Sequence, residues 1–389
     1  MAEDVVIVGA ARTAIGRFGG SLRDIPAIDL GAATLRAAVD RSGLEPSDID
    51  RVVAGQNIQV TPRGNPARQV LLAAGVPHTS TDYTVNMNCA SGLRAMTSLA
   101  ETLLLHDVDL GVAVGMENMS RSPYLLEDLR WGRRLGNGRA VDFLADYILG
   151  DAGPMAENVA STYSISRRRQ DEFALESQRR AGHAIAAGLF RDDIVGVPMR
   201  GASNRAVFEV DEHPRADVSW EGLAALPPVF RRDGTVTAGN SSGINDGAAA
   251  VVLTRGSTAA DHGLQPRAVL RSWAAAGVEP DLFGMGPVPA VREALKRADL
   301  ALDRMAVIEL NEAFASSSLA AIDELGLDPA KVNVNGGAIA LGHPVGATGL
   351  VLLIKLIAEL ERRHARYGLV TMCIGNGQGM AVIVENASA

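Results

Sequence analysis

The chain has 389 residues, 47% of them apolar and 4% aromatic, and a formal net charge of −8. That length suits two or three structural units around a large core, and the acidic balance excludes non-specific nucleic-acid binding. Two cysteines, Cys89 and Cys373, are too few for a disulfide scaffold or a cysteine-built zinc cage; no metal site is expected, and each thiol is either inert and buried or reactive.

The opening residues are acidic and then apolar, which reads as a first strand and not as a secretory signal. No run reaches the about 18 apolar residues of a membrane span; residues 350–360 are interrupted by Lys355 and Glu359. The last residues carry no peroxisomal or retention tripeptide, so a cytoplasmic protein is expected. Of the 37 basic residues only Lys296, Lys331 and Lys355 are lysines, a bias that reflects codon usage or anion binding. The arginine clusters at 130–139 and 167–169 read as solvated faces.

Short apolar runs alternate with helical periodicity, which places the chain in the α/β class. The first part predicts strands at 5–8, 52–54, 84–86 and 112–114, helices at 29–41 and 93–105, and a late strand at 249–253. The last part predicts strands at 269–273, 307–309, 332–334, 369–374 and 381–384, with helices at 289–297 and 350–360. The order is the same in both. Leu44, Ile49 and Val52 align with Leu300, Met305 and Ile308, Val85-Asn86-Met87-Asn88 with Val332-Asn333-Val334-Asn335, and Gly111 with Gly368. Three registers in order indicate an internal duplication, with a longer connecting loop in the second copy.

The resulting division is an N-terminal half at 1–117 and 246–265, an inserted loop domain at 118–245, and a C-terminal half at 266–389. The insertion carries scattered Gly and Pro and one amphipathic helix near 168–187. Long insertions on a rigid α/β core commonly shape binding sites.

Four segments at strand ends are candidates for chemistry. Asn88-Cys89-Ala90-Ser91-Gly92 sits between a strand and a helix, where the helix N-terminus is expected to favour thiolate; the rival is a small buried hydrophobe. The Gly-rich stretch 335–349 contains His343 before Pro344. It lacks both common nucleotide-loop patterns, so an acid/base histidine fits better than a phosphate cradle. Cys373-Ile374-Gly375-Asn376-Gly377-Gln378-Gly379 follows a strand with no helix behind it, so a proton-transfer role competes with a structural one. Asn311, in Asn311-Glu312-Ala313-Phe314, is either an oxyanion or water donor or a helix N-cap. All four fall where open α/β sheets hold their ligands.

Taken in order, Asn88-Cys89-Ala90-Ser91-Gly92, Thr237-Ala238-Gly239-Asn240-Ser241-Ser242-Gly243, Asn311-Glu312-Ala313-Phe314, Gly337-Ala338-Ile339-Ala340-Leu341-Gly342-His343-Pro344 and the Cys373 segment resemble the thiolases over the full chain. The resemblance implies a duplicated fold, with two pseudo-symmetric five-strand halves in layered helix and sheet packing plus the loop domain. It implies an acyltransferase running reversible Claisen condensation and thiolysis of 3-ketoacyl-CoA. Cys89 would be the acyl-carrying nucleophile activated by His343, and Cys373 the acid/base for the α-proton. Asn311 would hold a water that stabilises the enolate together with His343, and the N–H groups of Cys89 and Gly375 would form a second oxyanion hole. Coenzyme A would be a substrate, with no permanently bound cofactor, lying against Arg215, Ala238, Ser242, Ala313 and Phe314. A homodimer or homotetramer is implied.

Three positions depart from the family pattern. Asp151-Ala152 stands where short-chain members commonly have His-Met, Phe283 where Met is frequent, and Asn376 where Gly is usual. The first two bear on acyl chain length. Asn376 is compatible with a left-handed turn. A ketoacyl-synthase-like enzyme and an inactive acyl-CoA-binding relative are the alternative functions.

Overall fold

Val5-Val6-Ile7-Val8 begins strand β1 (Val5–Thr13), which is buried along its whole length. An apolar run of that kind belongs to the interior of a sheet covered on both faces. The structure, a computed structural model, describes residues 3–60, 63–127, 129–199 and 206–389. The other main strands are β2 (Arg51–Gly55), β3 (Thr81–Val85), β4 (Leu110–Asn118), β5 (Asn245–Arg255), β6 (Ala268–Gly277), β7 (Met305–Leu310), β8 (Tyr367–Ile374) and β9 (Gln378–Asn386).

Among the described residues these join one 11-stranded sheet in the order β7-β8-β9-β6-β1-β5-β4-β2-β3, with two short strands at its side. The duplication is visible in that order. β1 and β6 pair antiparallel at the centre through Val5–Leu270, Val6–Val269 and Ile7–Ala268. Outward from β1 the neighbours run antiparallel to β5, antiparallel to β4, parallel to β2 and parallel to β3. Outward from β6 they run antiparallel to β9, antiparallel to β8 and parallel to β7, followed by a parallel bridge from Ile308 to Val332. The two halves are therefore pseudo-symmetric.

The strand expected at 332–334 is reduced to that single bridge. Asn333 takes a left-handed backbone, φ 47°, which turns the chain out of the ladder. Three helices of nine or more residues went unpredicted: α2 (Pro66–Ala74), α4 (Ala152–Thr162) and α7 (Ala315–Leu325). The others of that length are α1 (Ala27–Ser42), α3 (Ser91–Leu104), α5 (Arg167–Ala186), α6 (Pro287–Ala298) and α8 (Val345–Arg363). None of the described helices is long and apolar enough to cross a membrane.

Strand alternation sorts the core into layers. Val6, Val8, Val112 and Val114 meet α1 and α2 on one side of the N-terminal half, while Ile7, Ala113 and Val251 meet α3 and α8 on the other. Met372, Val382 and Val384 of the C-terminal half face the same α3–α8 layer, and Ile308, Leu369 and Ile383 face α6 and α7. Helices thus lie outside both halves and between them. α8 is buried without a break from Val345 to Leu360, as an inter-sheet helix must be. A side chain at Gly92 or Gly115 would come within 2.8 and 2.7 Å of the Gly346 carbonyl. Their lack of one lets α3 and α8 begin side by side, which brings together the residues that precede each helix.

Candidate active site

Cys89 lies in the single turn Asn88–Ala90 that joins β3 to α3 and is half-buried. The N–H groups of Gly375 and of Cys89 itself face the sulfur and favour its charged form. Asn88, left-handed at φ 45°, donates Nδ2 to the Gly375 carbonyl at 3.1 Å, which anchors Gly375 beside the thiol. Burial still pushes the thiol up to about 11, and the charge of Glu117 adds to the rise. The expected thiolate at rest is therefore corrected: dry surroundings outweigh the two N–H groups, and the thiol needs a base.

Cys373 is the next-to-last residue of β8 and only 2% exposed. It packs with Phe283 and Ala313, and Ala152, Met155 and Phe314 close around that cluster. Burial first, and then the neighbouring Cys89, drive its thiol well above the ordinary range. Cys89 instead borders a second apolar cluster of Ile58, Met119, Leu144 and Val345. Each thiol has its own greasy wall.

His343 is buried immediately before α8. Nδ1 lies 2.6 Å from Thr348 Oγ1, and Thr348 donates its one hydroxyl proton to the Pro344 carbonyl at 2.9 Å. The hydroxyl must accept from Nδ1–H, so Nε2 carries the lone pair. Burial lowers the imidazole to about 4, leaving it neutral and ready to accept a proton. Its backbone N–H is fixed at 2.9 Å by Asn245 Oδ1. Gly342, at φ 104°, makes room for that contact, because a Cβ there would lie 2.5 Å from Asn245 Cγ.

Asn311 follows β7, and its N–H donates to Thr371 O at 3.0 Å, extending the sheet by one rung. It is not a helix N-cap, since α7 starts at Ala315 with Phe314 preceding it. Nδ2 approaches His343 Nε2 at 3.4 Å, while Oδ1 is buried with no partner among the described residues. An orphaned buried acceptor beside an imidazole lone pair is where a water fits.

The segments expected to meet coenzyme A also converge. Ser242 N–H donates to Ala313 O at 2.9 Å, and Ser241 bridges Phe314. Phe314 stands edge-on to Phe283 and Phe230, at 6.3 and 6.2 Å between centroids. Ala238 and Arg215 are exposed. Arg215 follows His213, whose ring sits against Gly243. Asn245, Thr348, Glu117 and Phe230 escape the sequence reading, and Asn88 is met there without a role of its own. Thr348 could have been found as a hydroxyl one turn behind Pro344, where it bonds back to the i−4 carbonyl. The arginines at 167–169 serve the scaffold: Arg167 pairs with Asp171, Arg168 with Glu172 and Arg169 with Asp323. No group of three or more His, Cys, Asp or Glu among the described residues could hold a metal ion.

Residues 5–257 match the thiolase N-terminal domain and residues 264–386 the thiolase C-terminal domain. The chain belongs to the thiolase family. It is 48% identical to an acetyl-CoA acetyltransferase of Chromobacterium violaceum, over 98% of this chain and 99% of the relative. It is equally 48% identical to the beta-ketothiolase BktB of Cupriavidus necator, over 99% and 100%. Human mitochondrial 3-ketoacyl-CoA thiolase, solved in complex with CoA, superposes with a TM-score of 0.94 at 38% identity, over 99% of this chain and 98% of that one. The thiolase fold thus spans both halves, and the enzyme is an acyltransferase.

Proposed function

We propose that this thiolase catalyses reversible Claisen condensation and thiolysis of 3-ketoacyl-CoA through an acyl group carried on Cys89. The observation that carries the proposal is the meeting of two thiols from opposite halves, one beside converging N–H donors and the other sealed in apolar side chains.

In acylation, His343 Nε2 takes the Cys89 proton as the sulfur attacks the thioester carbonyl of acetyl-CoA. The N–H groups of Cys89 and Gly375 receive the developing oxyanion. CoA leaves as a thiolate, a group that departs without help from an acid, and then takes the proton of Cys373, which becomes the thiolate base. That base removes the α-proton of a second acetyl-CoA, and the enolate oxygen is met by protonated His343 and the water on Asn311. The α-carbon then attacks the acetyl-Cys89 carbonyl. The C–S bond breaks, the Cys89 sulfur takes back the imidazolium proton, and Cys373 keeps the α-proton. Residues 118–245 act as the loop domain, with Arg215 at the adenine end of CoA and Ala238, Ser242, Ala313 and Phe314 along the pantetheine. Coenzyme A comes and goes as substrate, with no resident cofactor.

Chain length follows from the two walls. Phe283 and Phe314 fill the ground beside Cys373 and hold the nucleophilic partner to an acetyl unit. The aliphatic wall at Cys89 accepts acyl groups longer than acetyl. A cytoplasmic homodimer or homotetramer completes the reading, its assembly supported by β3 as a sheet edge and by exposed Tyr124, Leu126, Trp131 and Leu135.

Mass spectrometry after mixing with acetyl-CoA should show an adduct of about 42 Da, one acetyl on a thiol, mapping to Cys89. Absence of the adduct together with no thiolysis of acetoacetyl-CoA would overturn the proposal and leave an inactive CoA-binding relative. Cys89→Ser should abolish the adduct. Cys373→Ser should keep it and lose condensation; retained condensation would favour the ketoacyl-synthase-like alternative. A panel of 3-ketoacyl-CoA substrates of increasing length tests the two walls.

A further inference from the structure

The missing strand at 332–334 has been replaced by a side chain. In the N-terminal half, β3 runs beside β2 to its end, and Gln56 N–H still finds Val85 O at 3.3 Å. In the C-terminal half the pairing stops after Ile308, which donates to Lys331 O and accepts from Asn333 N–H, both at 2.9 Å. Asn333 then turns left-handed, which would leave the next edge residue, Leu310, without a backbone partner. The Asn333 carboxamide supplies one. Oδ1 accepts Leu310 N–H at 2.8 Å and Nδ2 donates to Leu310 O at 2.8 Å, the two bonds a facing peptide would make.

The second hydrogen of Nδ2 goes to Glu312 Oε1 at 2.8 Å. Glu312 is 1% exposed, and its other oxygen accepts from Ser177 Oγ at 2.7 Å and Ile339 N–H at 3.1 Å. The peptide joining Leu310 to Asn311 is thereby held at both ends, its C=O by Asn333 and its N–H by Thr371 O. Glu312 ties the Asn333 carboxamide to the turn that leads to His343. Neither Asn333 nor Glu312 belongs to the groups that meet substrate.

We propose that Asn333 and Glu312 are positioning residues for condensation: they set Asn311 against His343, and their effect on the reaction passes through Asn311. The inference rests on the role given above to Asn311. A displacement on the order of 1 Å costs about 100-fold in a positioned reaction, so Asn333→Ala should lower condensation kcat about 100-fold while Cys89 acetylation and the KM for acetyl-CoA stay near wild type. Glu312→Gln, which leaves the Leu310 pairing in place, should show the same split with a smaller loss and covers the case in which Asn333→Ala does not fold.

The deciding measurement is the pair Asn311→Ala and Asn311→Ala/Asn333→Ala. If Asn333 acts through Asn311, the double variant condenses no more slowly than Asn311→Ala alone. Multiplying losses, or equal loss of acetylation and condensation, would overturn the clamp and make Asn333 a general structural residue. Full condensation in Asn333→Ala with loss in Asn311→Ala would overturn the clamp alone. Full condensation in Asn311→Ala would overturn the role of Asn311 and the clamp together.

Discussion

Thr348 has one hydroxyl proton, and because Pro344 takes it, the imidazole of His343 has no choice of tautomer. Thr348→Val would leave Nδ1–H buried without an acceptor, a loss worth about 1–3 kcal/mol. Acetylation and condensation should both slow by about tenfold or more, and Thr348→Ser, which keeps the hydroxyl, should recover most of the rate. The thiol side of the pair is equally constrained. With Cys89 held up at about 11 and His343 down at about 4, the resting pair is neutral. Alkylation of the free enzyme by iodoacetamide should therefore keep accelerating beyond pH of about 8.5, the ordinary thiol value. A rate already flat below that point would reveal a resting thiolate–imidazolium pair.

At the scale of elements, the site depends on two helix starts lying side by side. The loop before α8 tolerates little. Gly342→Ala would place a Cβ on Asn245 in a backbone at φ 104°, pushing away the group that fixes His343 N–H. Melting temperature and both half-reactions should fall together. Gly263→Ala, also at positive φ but with open space around it, should cost only the left-handed backbone strain of about 1–2 kcal/mol and leave activity intact.

What could be read from the sequence follows the same logic. Strands and helices buried on long apolar faces, such as β1 and α8, announce themselves, and the duplicated order places Cys89 and His343 at equivalent corners. Short helices do not. α2 carried an Asn65-Pro66 start and apolar residues at 67, 70, 71 and 74, yet spans only Pro66–Ala74. α7 is masked by Ser316, Ser317 and Ser318, which its burial turns into core. Polar residues whose partners lie far along the chain were beyond reach. Asn245 to His343 and Glu117 to Gly346 each join segments that nothing in local periodicity connects.

For the whole molecule, Glu117 is a tie between halves. It sits in β4 and accepts N–H groups from Asn57, Ile58 and Gly346 in the first turn of α8. Burial raises it from 4.5 to about 7, and burial likewise raises Asp246 to about 6. Such groups hold a proton in the folded state that the unfolded chain has released, so stability falls as pH rises through that interval. The melting temperature should decline from pH 4.5 to about 7 on this account and then level. Glu117→Gln should flatten the decline, leaving the smaller contribution of Asp246. An unchanged slope in the variant would show that Glu117 is not its source.

The central place of β1 has a consequence in time. Its two long neighbours, β5 (Asn245–Arg255) and β6 (Ala268–Gly277), are translated more than two hundred residues after it. A nascent chain on the ribosome therefore carries Val5-Val6-Ile7-Val8 as an unpaired, sticky strand through most of its synthesis. The first strand to be made waits for its partners until the insertion has passed, and Cys373 comes later still. Activity belongs to the finished chain.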